Sequence, residues 1–341
     1  MLHVHNGDSS ADTAKQSSLA GEHFAWRESL ITGPTPAGLS DEAWRRIRAQ
    51  HLSEAYGVDE EECEQSLLRQ EQTLASFAQH EEVVLWFEHD LFCQVHLIYL
   101  LNWFSQRDLG KTKLSLICIG AFPGKENFRG LGELSAEQLA SLFPARQQIT
   151  NKQLALATSA WAAFCSTSPN DIETVLQGDT SPLPFLKLAL NAQLKRFPSI
   201  ENGLGLIENR GLKLLGEGPK SFTELFAGFG AAEPVYGFGD AQFWLTLQRL
   251  RTAEMPLLAI TNGMSDGEKN NENSQQALTP EIARAARVEL TEFGETVRKG
   301  EADFVALNGI DLWLGGVHLN DQKNLWRWDN ESGAIVLDKW T

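Results

Sequence analysis

Cysteine is scarce in this sequence, with four in 341 residues, at 63, 93, 118 and 165 and with no CxxC spacing. That argues against a disulfide framework and suits free thiols in a reducing cytoplasm. No apolar run approaches the roughly 18 residues a membrane span needs. The start, Met1-Leu2-His3-Val4-His5, lacks the basic region and long apolar core of a signal peptide. Basic residues are also few: 29 Lys and Arg stand against 45 Asp and Glu, a net charge of −16. Such a field repels phosphate backbones, so nucleic acid is not an expected partner. What remains is ordinary: 42% hydrophobic and 22% charged residues, which excludes a disordered chain, a collagen-like repeat or a coiled coil. There is no internal repeat, and the length suits two or three domains.

The N-terminal part alternates strand and helix signals. Leu2–His5 and Glu22–Trp26 are short strand candidates. Val83–Phe87 and Leu114–Ile119 are continuous apolar runs, as strands buried on both faces require. Between them the pattern predicts helices over Ser10–Leu19 (capped by Asp8 or Ser9), from a Ser40-Asp41-Glu42 cap to about Tyr56, over Asp59–His80 and over Leu91–Gln106. Ile31–Gly38, with Gly33-Pro34 and Pro36, reads as a rigid loop. Residues 1–130 are therefore expected to form a small doubly wound, Rossmann-like α/β domain around a parallel sheet.

Residues 131–200 read as helices without an intervening strand: Ser135–Phe143, Asn151–Cys165, Pro169–Leu176 and Pro182–Phe197. Across 201–300 the order is three helices and then a hairpin. The helices are Gly203–Leu215, Ser221–Phe229 (a capping box of Ser221 and Glu224) and an acid-capped Asp240–Arg251; the strands are Pro256–Thr261 and Arg287–Leu290. That is the winged-helix arrangement, with Asn262–Gln276 as an elongated wing. Thr291–Lys299 is a further helix. The tail, 301–341, is rich in Trp and Gly and is expected to dock on the body as short strands. Five basic residues face seven acidic ones over 201–261, so a protein-contact or structural role suits this module better than DNA binding.

Several motifs resemble one family. They are His3-x-x-Asn6-Gly7-Asp8-Ser9, Trp26-Arg27-Glu28 with Gly33-Pro34, Trp86-Phe87-Glu88-His89-Asp90 with Gln94, Asn308-Gly309-Ile310-Asp311 and Gly315-Gly316-Val317-His318-Leu319. In this order, over most of the chain, they resemble the bacterial family known as domain of unknown function 1835. The resemblance implies no particular activity, since none is established for that family. It also implies an aspartate where Cys93 stands here, which weakens a metal-ligand reading of that position.

In open α/β sheets, ligands bind at the carboxyl ends of the strands. Four expected strands end in polar or glycine-rich segments: Asn6-Gly7-Asp8-Ser9, Arg27-Glu28, Glu88-His89-Asp90 and Gly120. A cleft there would draw Asp8, Ser9, Glu88, His89 and Asp90 into catalysis, with Asn6, Gly7, Arg27, Glu28 and Gln94 holding the ligand. Glu88 and Asp90, two apart, share a side and suit a general base or a divalent cation. The structural alternatives are that Asp8 or Ser9 and Asp90 only cap helices, and that Glu88 only pairs with Arg27. His3 and His5 share a strand face and are as well explained as buried, hydrogen-bonded histidines. Ser9 in Gly7-Asp8-Ser9 resembles the nucleophile block of SGNH esterases, yet Gly315 stands where their aspartate would precede His318. The expected function is a cytoplasmic hydrolase or transferase acting on a small phosphorylated or nucleotide-like ligand, with no membrane partner. The alternative is a non-enzymatic regulator or adaptor that senses a ligand and contacts a protein partner or a second copy.

Overall fold

The computed structural model describes residues 1–261, 278–320 and 324–339. The Asn262–Gln276 insert and Trp340 lie outside them. The chain is α/β. Strands β1 (Leu2–His5), β2 (Glu22–Ala25), β3 (Glu82–Glu88) and β4 (Lys113–Ile119) run parallel. A two-residue β5 (Gln147–Gln148) closes one edge antiparallel, giving the order β2-β1-β3-β4-β5. The apolar runs in β3 and β4 have the cause expected of them, because both faces of the sheet are covered. Val84, Trp86 and Ile117 point one way, onto Ala14 of helix α1 (Asp8–Lys15) and Leu139. Val83, Leu85 and Phe87 point the other way with Leu2 and Val4. Each such side chain contributes about 1.5–3 kcal/mol by leaving water.

Helices α2 (Asp41–Tyr56) and α3 (Glu60–Ala75) start at Ser40 and Asp59, whose side chains accept backbone N–H bonds. Helix α4 (Leu91–Ser105) is apolar on all sides, as a helix enclosed by others must be. Beyond α5 (Ala136–Ser141), helices α6 (Asn151–Phe164), α7 (Asn170–Gln177) and α8 (Leu186–Leu194) join the same core as α4.

The next unit contains α9 (Leu206–Leu215), β6 (Lys220–Ser221), α10 (Phe222–Ala232), α11 (Asp240–Arg251), β7 (Leu258–Thr261), α12 (Pro280–Ala285), β8 (Arg287–Leu290) and α13 (Glu292–Arg298). Its strands form an antiparallel sheet of order β6-β8-β7. Aromatic rings fill its core; Phe229 and Phe243 stack at 4.7 Å. The tail adds α14 (Phe304–Asn308) and two hairpins, β9 (Leu312–Leu314) with β10 (Val317–Leu319) and β11 (Asn324–Asp329) with β12 (Ala334–Lys339). Backbone bonds Thr35 N to Gly315 O and Ile200 N to Trp328 O fasten it to the body.

Four expectations need correction. Helix α1 begins at Asp8, not Ser10, and neither Asp8 nor Ser9 caps it. Gly7, at φ 106, turns the chain from β1 straight into the helix. Helix α11 likewise begins after Gly239, and the Asp240 carboxylate accepts its neighbour's N–H instead of capping. Helix α3 ends at Ala75, and a 3-10 turn takes Ser76–Gln79. The region expected to lack strands supplies β5, which is too short and too polar to show an alternation. No helix among the described residues is long and apolar enough to cross a membrane.

Candidate functional site

Strand order reverses between β1 and β3: from β1 the chain goes to β2 on one side and later to β3 on the other. Ligands settle at the carboxyl edge of such a reversal. Asn6 follows β1 there and Glu88 ends β3. Both line a cavity of about 490 Å³ together with His89, Asp90, Phe92 and Cys93. Its opposite wall comes from far along the chain: Phe226 and Phe229 of α10, the segment Glu233–Gly239 and Gln242 of α11. Gly237, at φ 61, lies against Asp90 so closely that any Cβ would collide with that carboxylate.

Glu88 is 6% exposed. Its Oε1 accepts from Leu131 N at 2.7 Å, and its Oε2 accepts from the Cys93 thiol at 2.8 Å. Among the described residues no cation pairs with it. Burial, and then the charge of Asp90, push its pKa up to about 7. Glu88 therefore holds its proton to a much higher pH than an exposed glutamate does. Asp90 is also buried. It caps α4 by accepting from Cys93 N at 2.9 Å, and burial raises its pKa too. The Cys93 sulfur accepts from Asn6 Nδ2 at 2.7 Å while its proton goes to Glu88. Burial and the two neighbouring carboxylates push the Cys93 thiol well above its ordinary value, so it is a proton donor here and not a thiolate nucleophile. Two polar atoms at this site, Asn6 Oδ1 and His89 Nδ1, are buried without a hydrogen-bond partner among the described residues. Arg129 stands exposed on the wall, with no ion pair to its guanidinium among the described residues.

The other expected site residues sit elsewhere. Gln94 lies behind the wall and donates to Glu88 O at 2.6 Å. Asp8 and Arg27 form a half-exposed pair at the strand ends, 2.8 Å from Nε, and do not line the cavity. Gly7 serves the turn, and Ser9 Oγ donates to Gly132 O. Glu28 turns into the interior to meet Arg48 at 2.8 Å. The expected alternative pairing of Glu88 with Arg27 is not formed. His318 has Nε2 on Asp311 and Nδ1 on Asn320, and Ser9 turns to Gly132, so the two do not form a base–nucleophile pair. His3 and His5 are buried in a row with His23 and Trp86; His5 Nε2 and His23 Nδ1 lie 3.1 Å apart, and His3 meets Trp86 Nε1. Among the described residues no three His, Cys, Asp or Glu side chains converge as a metal site would require. Sequence reading missed Cys93 as a site residue, although its position three after Asp90 puts both on the first turn of α4. It also missed Arg129 and the α10–α11 wall, which carry no local signal.

No family model matches the chain, and no curated protein matches it by sequence.

Proposed function

We propose that the chain is a hydrolase or transferase whose cleft, at the β1–β3 reversal, takes a small phosphorylated or nucleotide-like ligand. One observation carries this reading: Glu88, a buried glutamate on a cavity wall, has Asp90 as its charged neighbour and no cation beside it among the described residues, which raises its pKa toward neutrality. A general acid or base works best with a pKa near the operating pH. Paired carboxylates pushed apart in pKa are a common way to obtain one. In this reading Glu88 transfers the proton and Asp90 keeps its pKa high. Asn6 and His89 offer their unpartnered atoms to the ligand, Arg129 meets negative charge, and Phe226 and Phe229 cover an apolar or aromatic portion. A divalent cation would arrive with the ligand's phosphate, since Glu88 spends both oxygens on Leu131 and Cys93. We assign the sheet to the Rossmann-like class on its strand order. The unit from α9 to β8 we read as a winged helix on its order of elements and its β6-β8-β7 sheet. The helix that would read DNA in such a module, α11, instead walls the cleft through Gln242; this supports a structural role for the module within the chain. On the motifs quoted above we place the chain with the domain of unknown function 1835 family, and its work in the cytoplasm, where its four unpaired cysteines would stay reduced.

A thermal-shift screen of nucleotides and sugar phosphates, each with and without Mg²⁺ or Mn²⁺, tests the proposal. A ligand at about 100 times its Kd adds about 2.7 kcal/mol. The stabilising compound should lose its effect in Asn6→Ala and Arg129→Ala, and its turnover should vanish in Glu88→Gln. Stabilisation that survives all three substitutions, or no stabilisation by any compound, would contradict it.

A further inference from the structure

Three arginines are buried among the described residues. Arg48 meets Glu28, and Arg327 meets Asp303 and Asp338. Arg196 is the exception. It is 8% exposed; among the described residues it forms no ion pair, and Glu208, which acts on it only at longer range, is paired with Arg249. Its Nη1 donates to the amide oxygen of Gln193 at 2.8 Å, a neutral partner. Burial pulls its pKa down to about 10, so it remains charged at neutral pH. A buried cation of this kind is costly unless a negative group comes to it.

Arg196 also lines the wall of a second cavity, of about 500 Å³, distinct from the one that holds Glu88. The acidic groups around that cavity are already engaged. Glu208 pairs with Arg249 at 2.5 Å, Asp311 with His318 at 2.7 Å, and exposed Glu54 accepts from Gln50. Apolar side chains line the rest, Phe238, Leu245 and Trp313 among them; His51 and Thr246 also line it, with His51 Nε2 on Thr32 and the Thr246 hydroxyl donating to Gln242 O. Burial holds His51 near 4, so it is neutral there at pH 7.

We propose that this cavity is a second ligand site, built for a small organic anion whose carboxylate or phosphate pairs with Arg196 and whose flat apolar body lies against Phe238, Leu245 and Trp313. Phe238 and Gln242 wall both cavities. An occupant here fixes the same partition that closes the cleft over Glu88, so the site is placed to influence the first cavity without touching it.

The test uses the full chain with benzoate and phenyl phosphate as probes and benzamide as the neutral control, titrated by calorimetry. One or both anions should bind with one-to-one stoichiometry, at least tenfold tighter than benzamide. Arg196→Met should weaken them at least tenfold. Leu245→Trp, which fills the cavity and leaves Arg196 in place, should do the same if Arg196→Met fails to fold. Glu88→Gln should leave the affinity unchanged, which separates this site from the cleft. Equal binding of benzamide, retained affinity in Leu245→Trp, loss of binding in Glu88→Gln, or no binding of either anion at millimolar concentration would overturn the proposal.

Discussion

Glu28 and Glu88 are both buried glutamates at the carboxyl edge of the same sheet, on either side of β1, yet their charges are opposite in character. Burial works to raise Glu28, but the guanidinium of Arg48 and the N–H of Ser29 outweigh it and hold the carboxyl below its usual range. Glu88 has burial and Asp90 against its charge, and only a thiol and one backbone N–H in its favour. Residue type and position in the fold are alike; the difference is the neighbour, a guanidinium beside Glu28 and a second carboxylate beside Glu88. Where the cation is present, the carboxylate is structural and locks the loop after β2, since Arg48 also donates to the carbonyls of Ser29, Thr32 and Pro34. Where it is absent, the proton becomes mobile near neutral pH.

The comparison can be broken most severely at Arg48. Arg48→Met leaves Glu28 charged and buried, and should cost about 3–5 kcal/mol by urea denaturation at pH 7; a cost below about 1 kcal/mol would dissolve the contrast. Glu88→Gln should act in the opposite sense. The folded pKa of Glu88, about 7, lies above its ordinary 4.5. Its stabilising contribution is therefore full below pH 4.5 and lost as pH rises through 7. The glutamine variant should gain on wild type by up to about 3 kcal/mol between pH 4.5 and 8, while turnover falls about 10²–10⁴-fold. Both proteins share an acid weakness of the other sign. Burial lowers His3 to about 4 and His5 to about 2, so their contribution is full above pH 6.5 and lost as pH falls, toward 4 for His3 and on toward 2 for His5. Replacing His3 by Gln should remove the His3 share of that acid limb and leave the Glu88 limb intact.

Smaller effects sharpen the picture. Cys93→Ala removes the thiol that donates to Glu88 and should cost about 1–3 kcal/mol, while the wild-type thiol resists alkylation at pH 7 until the protein unfolds. Smallest of all is Asp8→Asn. Asp8 is held low by the Arg27 hydrogen bond, but the pair is half exposed, and such pairs contribute about 0.2–1 kcal/mol. A double-mutant cycle on Asp8 and Arg27 checks it.

Much of this was legible in the sequence. The apolar runs of β3 and β4, the caps Ser40, Asp90 and Ser221, and the strand ends Asn6 and Glu88–Asp90 all follow from local pattern, because caps and strands are local chemistry. The contrast between Glu28 and Glu88 was not. Arg48 reaches Glu28 from α2, and α10 and α11 reach the cleft from more than a hundred residues away. Nothing near Ser9 told that its hydroxyl would meet Gly132, nor that Asp8 would turn to Arg27. These are tertiary outcomes, and a one-dimensional pattern carries no record of which distant side chain arrives.

The most direct measurement is a ¹³C NMR titration of the Glu88 side-chain carboxyl, assigned by comparison with Glu88→Gln. The account predicts a midpoint near 7. A midpoint at or below the ordinary 4.5 would mean that Glu88 is held charged as Glu28 is, and the proposed acid–base role would fall with it.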